Sequence, residues 1–340
     1  MNPREQSDRR AAKHRRSANR LTRRLVAGAL AFVIVTSASV SVSADDATAS
    51  AAKQDAITNR PAVPGRLLVK LRSRTDEKIE GSASYTPQID EEEWNVNETA
   101  IIICDMWNGH YCRLAAQRVD AMAPRMNRVV SAARAHGVTI IHAPSGCMDV
   151  YADTPHRKRM QQAAHSKPPV PLKSWCYLDP AQEAELPIDD SQEPCDDPVV
   201  GERIRQFSKQ HDAIKIIGFD GVSDNGQEIY NQFTALGIKN VVLMGVHTNM
   251  CVLGRPFGIR QLKNLGFNVA LARDLTDAMY DPREYPFVSH TRGTELVIEH
   301  IENFWCPSLL GEDLTRPIPG SNDPAPGTKR PEKNVDKAAD

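Results

Sequence analysis

The chain has 340 residues, 41% hydrophobic and 25% charged, with a net charge of −1. That composition is globular and excludes a collagen, a coiled coil and a wholly disordered chain, while the length allows one large or two modest domains. Residues 1–44 carry nine Lys/Arg against Glu5 and Asp8, a charge of +7 that leaves the remainder at −8. An acidic body argues against nucleic acid as a partner, because phosphates call for a basic face, and favours a small-molecule substrate.

In chain order, Arg9, Arg10, Lys13, Arg15, Arg16, Arg20, Arg23 and Arg24 form a basic head, Leu25 to Val35 is an unbroken apolar run, and Val42-Ser43-Ala44 supplies small residues before Asp45. This pattern reads as a cleaved export signal over 1–44, placing the mature protein in a periplasm or outside the cell with no stable membrane association after cleavage. The apolar run is 11 residues, too short to cross about 30 Å of hydrocarbon. Thr22-Arg23-Arg24-Leu25-Val26 loosely resembles a twin-arginine signal. An uncleaved anchor and an organelle transit peptide are the alternatives.

Residues 45–96 are polar and read as a linker or N-terminal arm with one strand at Arg66 to Arg72. From Asn97, apolar runs alternate with helical periodicity. Strands are predicted at Ala100 to Cys104, Val138 to His142, Ala213 to Ile217, Asn240 to Val246 and Phe267 to Ala272. Helices are predicted at Arg113 to His136, Asn225 to Leu236 and Met250 to Leu265, with Gly137, Gly237 and Gly266 at the exits. The insertion 143–210 holds seven prolines between Pro168 and Pro198 and reads as a helix near Pro155 to His165 followed by a lid. Cys176 and Cys195 are a candidate pair to pin that lid, with two thiols as the alternative. The domain then ends near 310, and 311–340 reads as a disordered tail.

Strand, helix, strand with short joints gives an α/β class: a Rossmann-like three-layer fold, a mostly parallel sheet of about six strands and helices on both faces. Such sheets bind ligands beyond the carboxyl ends of their strands. Three residues near strands stand out. Asp105 ends the buried run Ile101-Ile102-Ile103-Cys104, where it is either a functional acid or a helix cap. Lys215 interrupts Ala213 to Ile217, either as a charge partner or on an exposed edge. Cys251 follows Asn240 to Val246 and opens a helix, whose free N–H groups would lower its thiol pKa and hold an oxyanion. Its plain alternatives are a small buried hydrophobe or half of a disulfide. Seven cysteines follow the signal, so at least one is left over.

Together these residues resemble the isochorismatase-like cysteine hydrolase superfamily, which includes nicotinamidases and N-carbamoylsarcosine-type amidases. Gly245-Val246-His247-Thr248-Asn249-Met250-Cys251-Val252 is similar to its Gly-Val-x-Thr-x-x-Cys-Val nucleophile turn. The resemblance, over about Asn97 to Pro307, implies a catalytic triad of Asp105, Lys215 and Cys251. It also implies a cis peptide at Val246-His247, oxyanion-hole N–H groups at Met250 and Cys251, and frequent homo-oligomers. Trp107 stands where the family often has Gln, and Phe219 arrives early after Lys215. His142-Ala143-Pro144-Ser145 replaces the Asp-x-His metal motif of nicotinamidases, which argues against nicotinamide and against a metal. No cofactor is expected.

Trp107, His110, His142 and Phe219 are the candidate substrate-binding residues. His110, His142 and His247 follow strand ends and could converge on one pocket, although ordinary hydrogen-bonding histidines fit the spacing better. Arg255 pairs either with a substrate carboxylate or with an acid such as Asp274, the structural role being favoured. The expected activity is hydrolysis of a C–N bond in a small amide through a thioester on Cys251. Vinyl ether cleavage of the isochorismatase type and a non-catalytic binding module are the alternatives.

Overall fold

The computed structural model describes residues 58–60, 65–78, 85–191 and 194–319. The expected export signal over 1–44 lies outside them. Among the described residues, no helix is long and apolar enough to cross a membrane.

Six strands run parallel at the centre: β3 (Thr99–Cys104), β4 (Thr139–Ala143), β5 (Gly221–Val222), β6 (Asn240–Val246), β7 (Asn268–Asp277) and β8 (Ser308–Leu309). The antiparallel strands β1 (Gly65–Lys78) and β2 (Tyr85–Asn95) extend one edge, so the order is β2-β1-β8-β7-β6-β3-β4-β5, and β9 (Ile318–Pro319) pairs with β1. The chain reverses direction across the sheet between β3 and its neighbours β4 and β6, and the ends of β3 and β6 become adjacent, with Cys104 registered on Gly245.

Helices cover both faces, as the α/β reading expects. On β3, Ile101 and Ile103 pack with Val242, Met244, Met126 and Val130, the last two from α1 (Arg113–Ala135). Ile102 faces the opposite way, toward Leu243, Phe233 and Val297, from the side of α3 (Gly226–Leu236) and α6 (His290–Phe304). Ile101, Ile102 and Ile103 are fully buried, each stabilising the fold by about 1.5–3 kcal/mol. Burial on both faces is why such a strand reads as a continuous apolar run. Asn225 caps α3 through its side chain, and Gly237 ends it at φ 66°.

Four expectations are corrected. Within the expected linker, β1 and β2 pair antiparallel in the sheet: Leu67, Val69, Leu71 and Trp94 are buried at alternate positions, while Asp90 to Glu93 face solvent on the edge strand, and that charge gave the segment its linker-like composition. Ala213 to Ile217 is not a strand. It runs along α1, with Ile214 buried there and the Lys215 backbone bonded to Asn127 and Arg134. The third parallel strand in sequence is the two-residue β5. Residues 307–319 are ordered by β8, a turn at Gly311–Leu314 and β9, while 320–340 lie outside the described residues.

The fourth correction concerns the helix predicted from Met250 to Leu265, which is split into α4 (Cys251–Gly254) and α5 (Ile259–Asn264). Pro256 disfavours helical geometry at the residue before it, and Arg255 is extended at φ −60°, ψ 158°. In the insertion a 3-10 turn at Met148–Tyr151 precedes α2 (Pro155–Gln162), which is close to the expected span.

Candidate active site

Asp105 follows β3 at φ 46°, a left-handed conformation that aspartate tolerates better than most residues, and it is fully buried. Its Oδ1 accepts the Ser145 N–H at 2.7 Å. Its Oδ2 takes Nε and Nη2 of Arg255 at 3.1 and 3.0 Å. Cys251 retains 9% exposure, and its thiol lies beside the Asp105 carboxyl, near enough for each group to act on the other's ionisation. Thiol, carboxylate and guanidinium thus meet at the adjoining ends of β3 and β6.

The nucleophile turn is held from several sides. Thr248 N–H donates to Asp277 O at 2.9 Å, and Asn249 exchanges hydrogen bonds with the Met279 backbone at 2.8 and 3.1 Å. The Val246-His247 peptide is cis, as the resemblance implied. The Met250 N–H is engaged by His247 O at 3.0 Å, so it is not an open oxyanion donor. Among the described residues, no acceptor engages the Cys251 N–H.

Burial, then the neighbouring Asp105 carboxylate, push the Cys251 thiol well above its ordinary range, with Arg255 and a hydrogen bond from the His247 backbone opposing. The expected lowering by a long helix does not arise, because α4 is one turn long. Burial also raises Asp105, against the pull of Arg255, Cys251 and Ser145. The resulting ground state is a protonated thiol beside the Asp105 carboxyl.

Lys215 is not part of this group. It is exposed, and its Nζ donates to Asp212 O at 2.7 Å. The cation beside Asp105 is instead Arg255, while Asp274, the acid first weighed as its partner, pairs with Arg125. The signal was present in sequence: an arginine four residues after the cysteine and just before a proline.

Of the substrate-binding candidates, Trp107 and His110 lie at the site. The Trp107 ring stacks on Phe207 at 4.2 Å and its Nε1 donates to Ser145 O at 3.1 Å. His110 and His247 are in ring contact at 5.1 Å. Burial lowers His110, and burial together with His110 lowers His247 to about 3, so both are neutral near pH 7. His142 does not join them: it is buried with Nδ1 on Gln210 and Nε2 on Asp220, both at 3.0 Å. Phe219 lines a separate cavity with Arg60, Arg134 and Asp220, and Arg159 sits over its ring at 4.2 Å.

Ser145 and Arg255, which hold Asp105, help line a cleft of about 450 Å³ with Gly146, Lys173, Asp224 and Gln227. Beside Trp107, His110 and His247 only about 10 Å³ is left, at best the space of one water. Both halves of the insertion reach the site, with Trp175 facing the Arg255 guanidinium at 5.6 Å and Phe207 on Trp107.

The fold and this cluster define an α/β protein with a cysteine and an aspartate at neighbouring strand ends. The isochorismatase domain matches residues 99–290, more than half of the chain, and the chain belongs to that family. Solved structures with a similar fold include a cysteine hydrolase from Pseudomonas syringae pv. phaseolicola, at 15% identity and TM-score 0.40 over 66% of this chain and 93% of that one. Another is an isochorismatase family protein from Burkholderia thailandensis, at 16% identity and TM-score 0.37 over 64% and 93%. N-carbamoylsarcosine amidase from Thermoplasma acidophilum is similar at 14% identity and TM-score 0.31 over 55% and 87%. No curated protein matches the chain.

Proposed function

We propose that the protein is a cysteine hydrolase that opens a C–N bond of a small amide through a thioester on Cys251, acting after export directed by residues 1–44. The observation that carries this reading is the Cys251 thiol on Asp105, with Arg255 on the same carboxylate. Asp105 takes the thiol proton as sulfur attacks the carbonyl, and returns it to the departing amine. Arg255 keeps Asp105 ionised in a buried site and offsets the negative charge that moves onto sulfur. The Cys251 N–H is placed to donate to the carbonyl oxygen as it becomes an oxyanion. Water entering from the cleft then cleaves the thioester, with Asp105 as base.

The test is intact-mass analysis of acid-quenched reactions with a panel of small primary and N-substituted amides. An adduct of the acyl mass on Cys251, present in wild type and lost in Cys251→Ala, is expected. Turnover of a vinyl ether that survives Cys251→Ser but not Asp105→Asn would replace amide cleavage with the acid-only route. Export is tested by N-terminal sequencing of protein recovered from the producing cell, with Asp45 expected as the first residue.

A further inference from the structure

Cys176 and Cys195, the pair considered for pinning the insertion, occupy different places. Cys176 Sγ lies 3.4 Å from Gln261 Oε1, a residue of α5. Cys195 lies against Cys112, the residue that precedes α1, whose thiol donates to Asp196 Oδ1 at 3.5 Å. Their sulfurs and a carboxylate oxygen of Asp197 fall within 4.8 Å of one another. Both cysteines are fully buried in a small apolar cluster with Ala115 and Met279, flanked by Tyr111, Val200 and Met250.

We propose that Cys112 and Cys195 are a disulfide-forming pair that staples the start of segment 194–210 to the head of α1. The charges around the sulfurs favour a neutral S–S bond over a metal ion. A metal would need two buried thiolates in an apolar cluster, and burial sets the Cys112 thiol far above its ordinary range. The carboxylate oxygens of Asp197 accept the Arg113 and Leu114 N–H groups, each at 2.9 Å, while Asp196 is held by Arg118 at 2.7 and 3.0 Å. Neither acid is waiting for a cation.

The staple matters because the far end of the same segment forms a wall of the candidate site. Phe207 stacks on Trp107, the Ser208 and Lys209 N–H groups donate to Asn108 Oδ1, and Arg205 donates to Gly146 O at 2.6 Å. Oxidation fixes the near end as well. The oxidant is a small disulfide of the glutathione class. One cysteine thiolate attacks a sulfur of that disulfide and releases one small thiolate. The second cysteine then attacks the protein sulfur of the mixed disulfide and releases the other, so two protein thiols are oxidised as one disulfide is reduced to two thiols. This proposal does not depend on the chemistry of Cys251.

The experiment equilibrates wild-type protein in glutathione–glutathione disulfide buffers of graded ratio, quenches with acid, alkylates under denaturing conditions and maps peptides without reductant. The expected product links the Cys112 and Cys195 peptides and leaves the other five cysteines alkylated. The oxidised form is expected to melt about 5–10 °C above the reduced form. Cys112→Ser and Cys195→Ser should each abolish that rise, with no further loss in the double variant. Full alkylation of both cysteines at every ratio overturns the proposal. So does a Cys176–Cys195 link, or zinc that shields both thiols without linking them. Because mapping uses the wild-type chain, a serine variant that fails to fold does not affect the outcome.

Discussion

Arg255 grips Asp105 through a single oxygen, with Nε and Nη2 both about 3 Å from Oδ2, while the other oxygen takes the Ser145 N–H. Asp105 is fully buried and Arg255 keeps 28% of its side-chain exposure. The pair is therefore asymmetric: removing the guanidinium strands a buried carboxylate, whereas removing the carboxylate leaves a cation that can still reach water. Arg255→Gln should cost roughly 3 kcal/mol at pH 7, toward the low end of what breaking a buried pair costs.

The pH dependence of that variant has a definite sign. Burial raises Asp105 and Arg255 opposes the rise, so without Arg255 the carboxyl moves higher still. The acidic limb of kcat/KM in Arg255→Gln should shift to higher pH than in wild type. A carboxyl raised on folding penalises the folded state once it ionises, so the stability deficit should shrink as pH falls through its folded pKa. Urea titrations from pH 8 to 4 check this, and Asp105→Asn in the same background should remove the pH dependence. An unshifted limb would show that Arg255 does not act on Asp105.

Lys215 and Cys251 should behave in opposite ways. Lys215→Met removes an exposed ammonium that caps the Asp212 carbonyl, so activity should remain within about twofold and stability within about 0.5 kcal/mol. Cys251→Ala should lower kcat at least about 10³-fold, since a nucleophile cannot be replaced by binding alone. Steady-state rates on whichever amide the panel identifies, with melting curves as the folding control, separate the two.

The divergence between those residues also shows where sequence reasoning stops. The parallel core was legible because strands buried on both faces are apolar throughout, and Asp105 and Cys251 were legible because they interrupt that pattern at the carboxyl ends. Lys215 misled because Ala213 to Ile217 has the composition of a buried strand, yet it packs only one side, against α1. Strand β5 is two residues long and carries no periodicity to read. Arg255 was legible as a residue but not as a role, since its reach to Asp105 depends on a break that Pro256 makes in an otherwise helical pattern. Edge strand β2 stayed hidden because solvent on its outer side permits the run of acids from Asp90 to Glu93.

Glu183 anchors the insertion to the helices below it. Its carboxylate receives Arg260 at 2.6 and 2.9 Å, His300 at 2.9 Å and Trp305 at 2.8 Å. Burial alone would raise this group, but hydrogen bonds from His300, Arg260 and Trp305 outweigh it and hold the carboxyl at about 2, against 4.5 when unperturbed. A depressed acid contributes stability above its unfolded pKa and loses it as pH falls toward the folded one, here between about 4.5 and 2. Glu183→Gln should cost roughly 3–5 kcal/mol at pH 7 by leaving Arg260 buried and unpaired. Its deficit relative to wild type should narrow as urea midpoints are followed from pH 7 toward pH 3. A constant deficit would mean that the ionised form of Glu183 adds nothing.

Gly245 controls the spacing of the site from the backbone. It sits at φ 110°, in register with Cys104 across β3 and β6, and a Cβ built on it would lie 2.0 Å from Cys104 O and 2.9 Å from Cys104 N and C. Those are backbone atoms of the strand that carries Asp105, so they cannot move aside as a flexible side chain would. Gly245→Ala must therefore push the ends of β3 and β6 apart while forcing alanine into a conformation it disfavours. Because Asp105 follows one strand and the Cys251 turn follows the other, separating them moves the thiol away from the carboxyl. Activity is expected to fall by more than about 10²-fold, as small misplacements of reacting groups do, with a loss of stability of roughly 3 kcal/mol or more. Gly201→Ala is the control: a Cβ there meets nothing within 4 Å, so both rate and melting midpoint should stay close to wild type. If Gly245→Ala instead melted lower but kept its rate per folded molecule, the close approach of β3 and β6 would serve the fold alone, and the alignment of Cys251 with Asp105 would have to be set by the turn that Thr248 and Asn249 hold in place.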